Sequence, residues 1–391
     1  MPAPQTLLKK LEYTLARAIL KLPDSMLYAL SGGKSRTNQA GHRLDARIQM
    51  ALRLDRLKPD IHTLPPQMAR QQLRELVRIF DLDPEPLPRA ENISVPGVAR
   101  ISTRIPMRLY APTAQAKELP ALVYYHGGGF VIGDTAGYDA TMRYLSKKSG
   151  CIVISVDYRL APDHPYPAAV DDALATYAWI LKNGPLFGVD PKRVGVGGDS
   201  AGGNLALNIC LQAASQRLKS PAFLAMIYPW VDVSDSAHED ESYRELGGEY
   251  ALTLELLEYF TRHTFLSTQK LNDPAVSPVY TKAQQLKRVP PTLIQLCGFD
   301  PLRDQGQRMG DQLKAAGVEC ETRLYPTLIH GAMSLAGVVP DARTMLDEYA
   351  AAVAEFAFAG SSSAAATPAG TKKSPRQTKS GASARSTRTA K

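Results

Sequence analysis

Residues 194–204 read "VGVGGDSAGGN", five glycines around one serine. An apolar run precedes the stretch and a helix-forming one follows it. Two chemistries use such a turn: a cradle for phosphate, or a sharp bend that presents a nucleophile. A phosphate loop of the Walker type needs G-x-x-x-x-G-K-[ST], and no lysine lies here. A dinucleotide fingerprint needs G-x-G-x-x-G; Gly195 and Gly197 begin one, but the sixth place is Ser200. What fits is Gly198-Asp199-Ser200-Ala201-Gly202, or G-x-S-x-G. Small residues flank the serine because strand and helix approach closely there, and the amide of Ala201 opens the helix facing a developing oxyanion.

A serine hydroxyl is a weak nucleophile without a base, and the base needs an orienting carboxylate. The turn resembles the serine turn of the α/β-hydrolases, and that resemblance implies that the acid and then the histidine follow in the chain. His42, His62, His126 and His164 precede Ser200, and His238 and His263 fall in a long helical insertion. His330, in "LIHGA" after the last expected strand, remains. Asp300 ends the apolar run "TLIQLCGFD" and is the candidate acid. Its rival Asp304 is expected to cap the next helix. "HGGGF" (126–130) follows the strand "ALVYY", and its glycines can turn amides toward a substrate. His126 is expected to order this loop, not to act as base.

Outward from the turn, short apolar runs alternate with helical stretches. Strands are expected at about 121–125, 151–156, 193–198, 222–228, 292–298 and 321–325, with "IPMRLYAP" as an early, half-exposed strand. Helices are expected at about 138–149, 168–182, 201–218 and 304–317. The rhythm implies an α/β fold: a mainly parallel sheet with helices on both faces. The interval from Tyr228 to Thr292 is too long for a crossover, and "ALTLELLEYFTRHTF" is its expected main helix, in a lid. Two more helices are expected at about 44–57 and 66–80. The block "LDPEPLPRAENISVPG" then breaks helix repeatedly.

The net charge of +8 sits at the ends of the 391-residue chain. Residues 361–391 hold four Lys, three Arg and no acid; residues 1–44 carry +5, which leaves −4 between them. The tail lacks any large apolar residue and is expected to be disordered, with no nucleic-acid partner. No apolar run is long enough to span a membrane, and the first residues lack a signal-peptide pattern. Four scattered cysteines point to reduced thiols and a cytoplasmic location. In residues 1–43, Leu7, Leu8, Leu11, Leu15, Ala18, Ile19 and Leu22 form one helical face flanked by Lys9, Lys10, Arg17 and Lys21. Such a helix either lies on an anionic membrane or packs on the cap.

Together these pieces resemble the hormone-sensitive-lipase branch of the α/β-hydrolases, the G-D-x-G (group IV) bacterial esterases. The matching segments are "YYHGGGF", "VDYRLAPDHPYPAAVDD", "GGDSAGGN", "GFDPLRDQG" and "LIHG", in order between about Leu44 and Gly360. The resemblance implies an α/β-hydrolase fold and a Ser200–Asp300–His330 triad. It also implies an oxyanion hole from the amides of Gly128, Gly129 and Ala201. A cap would be built from helices at about 44–80 and the 230–290 insertion. His126, Gly127, Arg159, Asp163 and Asp199 are expected as supports, with Arg159 paired to Asp163. The implied activity is hydrolysis of small-molecule carboxylic esters, of short-to-medium acyl length, without metal or cofactor. The triad leaves open a lipase or an amide or carbamate hydrolase. A ligand receptor on this fold is disfavoured by the intact His330. Two positions depart from the family's usual pattern: Tyr138, where a His is common, and Ala332, where a Phe is common. Residues 1–43 and 361–391 lie outside the resemblance.

Overall fold

The computed structural model describes residues 4–96 and 104–359. Four helices come first: α1 (Pro4–Ile19), α2 (Asp24–Leu30), α3 (Ala46–Asp55) and α4 (Pro66–Phe80). Asp45 caps α3, its carboxylate accepting from the amides of Arg47 at 2.8 Å and Ile48 at 3.3 Å. Pro66 opens α4, where a missing N–H costs nothing.

The remaining elements are β1 (Arg89–Val95), β2 (Ile105–Ala111), β3 (Leu119–Tyr125), α5 (Asp139–Ser149), β4 (Ile152–Val156), α6 (Ala168–Asn183), β5 (Val189–Asp199) and α7 (Ala201–Gln212). Then follow β6 (Leu224–Ile227), α8 (Glu241–Leu246), α9 (Leu254–Thr264), α10 (Ala283–Leu286), β7 (Thr292–Phe299), α11 (Arg303–Ala315), β8 (Cys320–Ile329) and α12 (Pro340–Phe358). The eight strands form one sheet in the order β1-β2-β4-β3-β5-β6-β7-β8. From β4 to β8 every pairing is parallel; β1 and β2 are antiparallel. All residues of β4 and β7 are buried, because helices cover both faces.

Three expectations need correction. The helix-breaking block around residue 89 contains β1, which edges the sheet against β2. Strand β2 is mostly buried, not half-exposed, since β1 and β4 flank it. The helix expected to run to residue 218 ends at Gln212; Arg217 takes a left-handed conformation (φ 57°) as the chain turns back.

Residues 20–43 pack on the body of the fold. Leu20 and Leu27 are buried. Asn38 Nδ2 donates to the Gly298 carbonyl at 3.0 Å, and the Asp45 amide to Thr327 O at 3.1 Å. Arg17 of α1 donates through Nε to Ile79 O at 2.9 Å, at the end of α4, and pairs with Asp83. The tail at 361–391, and the side chains of Leu7, Leu8, Leu11, Lys9 and Lys10, lie outside the described residues.

Candidate active site

Strand β5 ends at Asp199 and α7 starts at Ala201, which leaves Ser200 as the single residue of the turn, at φ 54° and ψ −121°. That conformation is costly for a residue with a Cβ, and the surroundings impose it. A Cβ on Gly202 would lie 1.9 Å from Tyr125 O, and one on Gly198 2.5 Å from the same atom. The two glycines of the motif are therefore required by the contact of this turn with the end of β3.

His330 follows β8. Its Nε2 is 2.9 Å from Ser200 Oγ, and its Nδ1 is 2.8 Å from Asp300 Oδ2, at the end of β7. Asp300 is fully buried, and its Oδ1 accepts the Leu302 amide at 2.8 Å. The contact with Asp300 at Nδ1 leaves Nε2 of the same ring facing the serine hydroxyl. Tyr228, in the left-handed region at φ 36°, places its ring 4.6 Å from that of His330. Asp304 does not join this chain. Its carboxylate accepts the Ser242 amide at 2.8 Å and pairs with Arg303. It therefore caps the start of α8, and not its own helix α11 as expected, because α8 packs against that turn.

The loop after β3 turns at Gly128 (φ 119°) and Gly129 (φ 59°). Its carbonyls are all engaged. Tyr158 Oη donates to His126 O at 2.7 Å; the amides of Val131 and Ile132 donate to Gly128 O; Thr264 donates to Gly129 O. His126 Nδ1 lies 2.8 Å from Gly127 O, with its ring stacked on Tyr158 at 4.4 Å. Among the described hydrogen bonds, the amides of Gly128, Gly129 and Ala201 donate to no protein group. Beneath them, the buried Asp199 carboxylate accepts from Gly127 N, Tyr124 Oη and Tyr138 Oη at 2.8, 3.0 and 2.9 Å. Burial holds its pKa above the usual carboxylate value.

Ser200, His330, Gly128 and Gly129 line a cavity of about 220 Å³. Its walls are mostly apolar: Leu52, Leu73, Val77 and Phe80 come from α3 and α4, and Leu256 and Phe260 from the segment inserted after β6. Among the described residues no group of His, Cys, Asp and Glu could hold a metal ion.

The chain is similar to several known proteins. Residues 122–334 match the model of the α/β-hydrolase fold family. The esterase LipI of Mycobacterium tuberculosis is 38% identical over 71% of this chain and 84% of that protein. An ethyl acetate hydrolase of Pseudomonas putida is 32% identical over 72% and 87%. A solved esterase from the archaeon Pyrobaculum calidifontis superimposes with a TM-score of 0.70 at 35% identity, covering 75% of this chain and 95% of its own.

The chain belongs to the α/β-hydrolase family. The resemblance to its hormone-sensitive-lipase-like esterases is borne out by these relatives.

One expected contact of this α/β-hydrolase is corrected. Arg159 does not pair with Asp163. Its guanidinium grips Asp172 on α6, with Nη2 at 2.7 Å and Nε at 2.9 Å, and Asp172 also accepts the Arg159 amide. Asp163 pairs instead with Arg70 of α4 at 3.1 Å. Arg70 in turn donates to Val131 O and Ala161 O, both at 2.8 Å, tying α4 to the end of the glycine loop. The buried, bidentate acceptor outcompetes the half-exposed one four residues away. Tyr124 and Tyr228 carry no sequence signal that separates them from core aromatics. Tyr138 carries one only as a departure from the family pattern.

Proposed function

We propose that this α/β-hydrolase is a serine carboxylic-ester hydrolase working through an acyl-enzyme. The observation that carries the reading is the unbroken line from Ser200 Oγ through the His330 ring to the buried Asp300. His330 takes the serine proton as Oγ attacks the ester carbonyl. Asp300 holds the tautomer and stabilises the imidazolium that forms. The free amides of Gly128, Gly129 and Ala201 receive the oxyanion, each donor worth about 3 kcal/mol. His330 then protonates the leaving alkoxide, and water repeats the cycle on the acyl-enzyme.

The cavity supports short-to-medium acyl esters. At about 220 Å³ it is smaller than the ~300–1,000 Å³ usual for drug-sized ligands, and its walls are mostly hydrocarbon. A relative named as an ethyl acetate hydrolase supports the short end of that range. The contacts of Arg17, Leu20, Leu27 and Asn38 favour residues 12–43 as part of the body over a membrane contact. The domain reading then keeps helices from about 44–80 and the 230–290 insertion as the cap, with the 361–391 tail apart.

The test is labelling and turnover. An organophosphate should modify Ser200, and a p-nitrophenyl ester series should peak at short-to-medium chains with no rate jump on emulsified triglyceride. Ser200→Ala should lower kcat by roughly 10⁶. Absence of both labelling and turnover would favour a receptor; a jump above the solubility limit would favour a lipase.

A further inference from the structure

Gly127 is the point at which the glycine loop is anchored from below. Its N–H donates to Asp199 Oδ1 at 2.8 Å, and Tyr138 Oη lies 3.1 Å from the same nitrogen. Tyr138 Oη also donates to Asp199 Oδ2 at 2.9 Å. Tyr124 supports Oδ1, so Tyr138 is the side chain that holds Oδ2. No Arg or Lys pairs with Asp199 among the described residues. The hydrogen bonds to the buried carboxylate come from neutral groups: the Gly127 amide and two tyrosine hydroxyls.

We propose that Tyr138 is a positioning residue for the ester hydrolysis described above: its hydroxyl fixes the Asp199–Gly127 contact that aims the amides of Gly128 and Gly129 at the oxyanion. The proposal rests on that reading of the site. The two glycines have no side chains to hold them; the Val131 and Ile132 amides tie Gly128 O within the turn itself, and Gly127 is where that turn is tied to the end of β5 beside the serine. The fit is close: a Cβ on Gly127 would lie 2.4 Å from Asp199 Oδ2. Removing the Tyr138 hydroxyl leaves a buried carboxylate oxygen without its donor. The carboxylate must then take up a proton or turn toward another partner, and either event loosens the Gly127 N–H. The ring of Tyr138 borders the catalytic cavity and lies 5.8 Å from that of His126. The groups facing Asp199 are the His126 imidazole and the hydroxyls of Tyr124, Tyr138, Tyr158, Tyr228 and Tyr349. Burial raises the Asp199 pKa, and the hydrogen bond from Tyr138 is the foremost influence drawing it back down.

Tyr138→Phe is the test, read on the full-length enzyme with p-nitrophenyl butyrate. The expected result is a fall in kcat of about 10–100-fold with KM within twofold, part of the 10²–10³ that an oxyanion donor contributes. A trifluoromethyl ketone, which forms the tetrahedral adduct, should lose affinity by the same factor as kcat/KM. The acid limb of kcat/KM should move to higher pH, because Asp199 loses the hydrogen bond that draws its pKa down. Combined with Asp199→Asn, the effects should be less than additive. Tyr138→Phe that lowers only the melting temperature or raises only KM, with ketone affinity unchanged, overturns the proposal. If that variant does not fold, Asp199→Asn decides: unchanged ketone affinity there overturns it equally. Ser200→Ala run beside them separates the two claims, since retained turnover in it would sink the triad reading itself.

Discussion

The ring of Phe260 occupies the space that a side chain on Gly129 would need: a Cβ there would lie 2.1 Å from the ring. The inserted segment thus closes over the loop that carries the free amides. Gly129→Ala should therefore displace either α9 or the loop, and kcat should fall by about 10²–10³, the range for losing one oxyanion donor. Phe260→Ala in that background should restore part of the loss. Alone, Phe260→Ala should move the optimum of an acyl-chain series to longer chains. An unaltered kcat in Gly129→Ala would argue that its amide has no part in the reaction.

Asp300 and Asp304 should behave differently. Asp300→Asn should cut kcat by around 10⁴ through loss of tautomer control. Asp304→Asn should leave kcat intact and cost about 1 kcal/mol, since it caps α8. Urea melts and steady-state kinetics on both variants would detect the reverse ranking, which would move the acid to Asp304.

Arg159 and Asp163 should also separate. Arg159→Met leaves the buried Asp172 charge without its partner, and the cost should be about 3–5 kcal/mol. Asp163→Asn removes a half-exposed pair with Arg70 and should cost less than about 1 kcal/mol. Comparable losses in denaturant titrations would contradict the pairing.

Asp81 ties the end of α4 to α5, accepting from Thr141 Oγ1 at 3.0 Å and the Leu82 amide at 2.7 Å. Burial raises its pKa from 3.8 to about 7. The folded state therefore binds this proton more tightly than the unfolded chain. The resulting stability is fully present below pH about 4 and is lost as pH rises to about 7. Asp81→Asn does not titrate. Its melting temperature relative to the wild type should improve steadily from pH 4 to 7 and level off above. A difference that is flat, or that shrinks with rising pH, would show that Asp81 is ionised throughout.

Deleting residues 1–43 should lower the melting temperature and alter ester preference. It removes the buried Leu20 and Leu27, each worth about 1.5–3 kcal/mol, and the Asn38 bond beside the end of β7. Full-length protein should not sediment with anionic liposomes at low salt. Sedimentation that is lost on deletion, with an unchanged melting temperature, would restore the membrane reading.

The sequence by itself determined the parts of this protein that depend on local sterics. Gly198 and Gly202 around Ser200, after an apolar run and before a helix, specify a turn that only small neighbours allow. Alternating strand and helix periodicity specified the parallel sheet, and the order of Ser200, Asp300 and His330 along it named the residues that the fold brings together. Strand β1 escaped because a short edge strand set among prolines has the same composition as a loop. Only the tertiary structure decided which partner each polar side chain takes. Arg159 chose Asp172 over the nearer-in-sequence Asp163, Asp304 capped a helix sixty residues away, and Tyr138 reached both Asp199 and Gly127. Hydrogen bonds act over about 3 Å. Which groups come within that distance is set by how distant segments pack, and the spacing of residues along the chain does not record it.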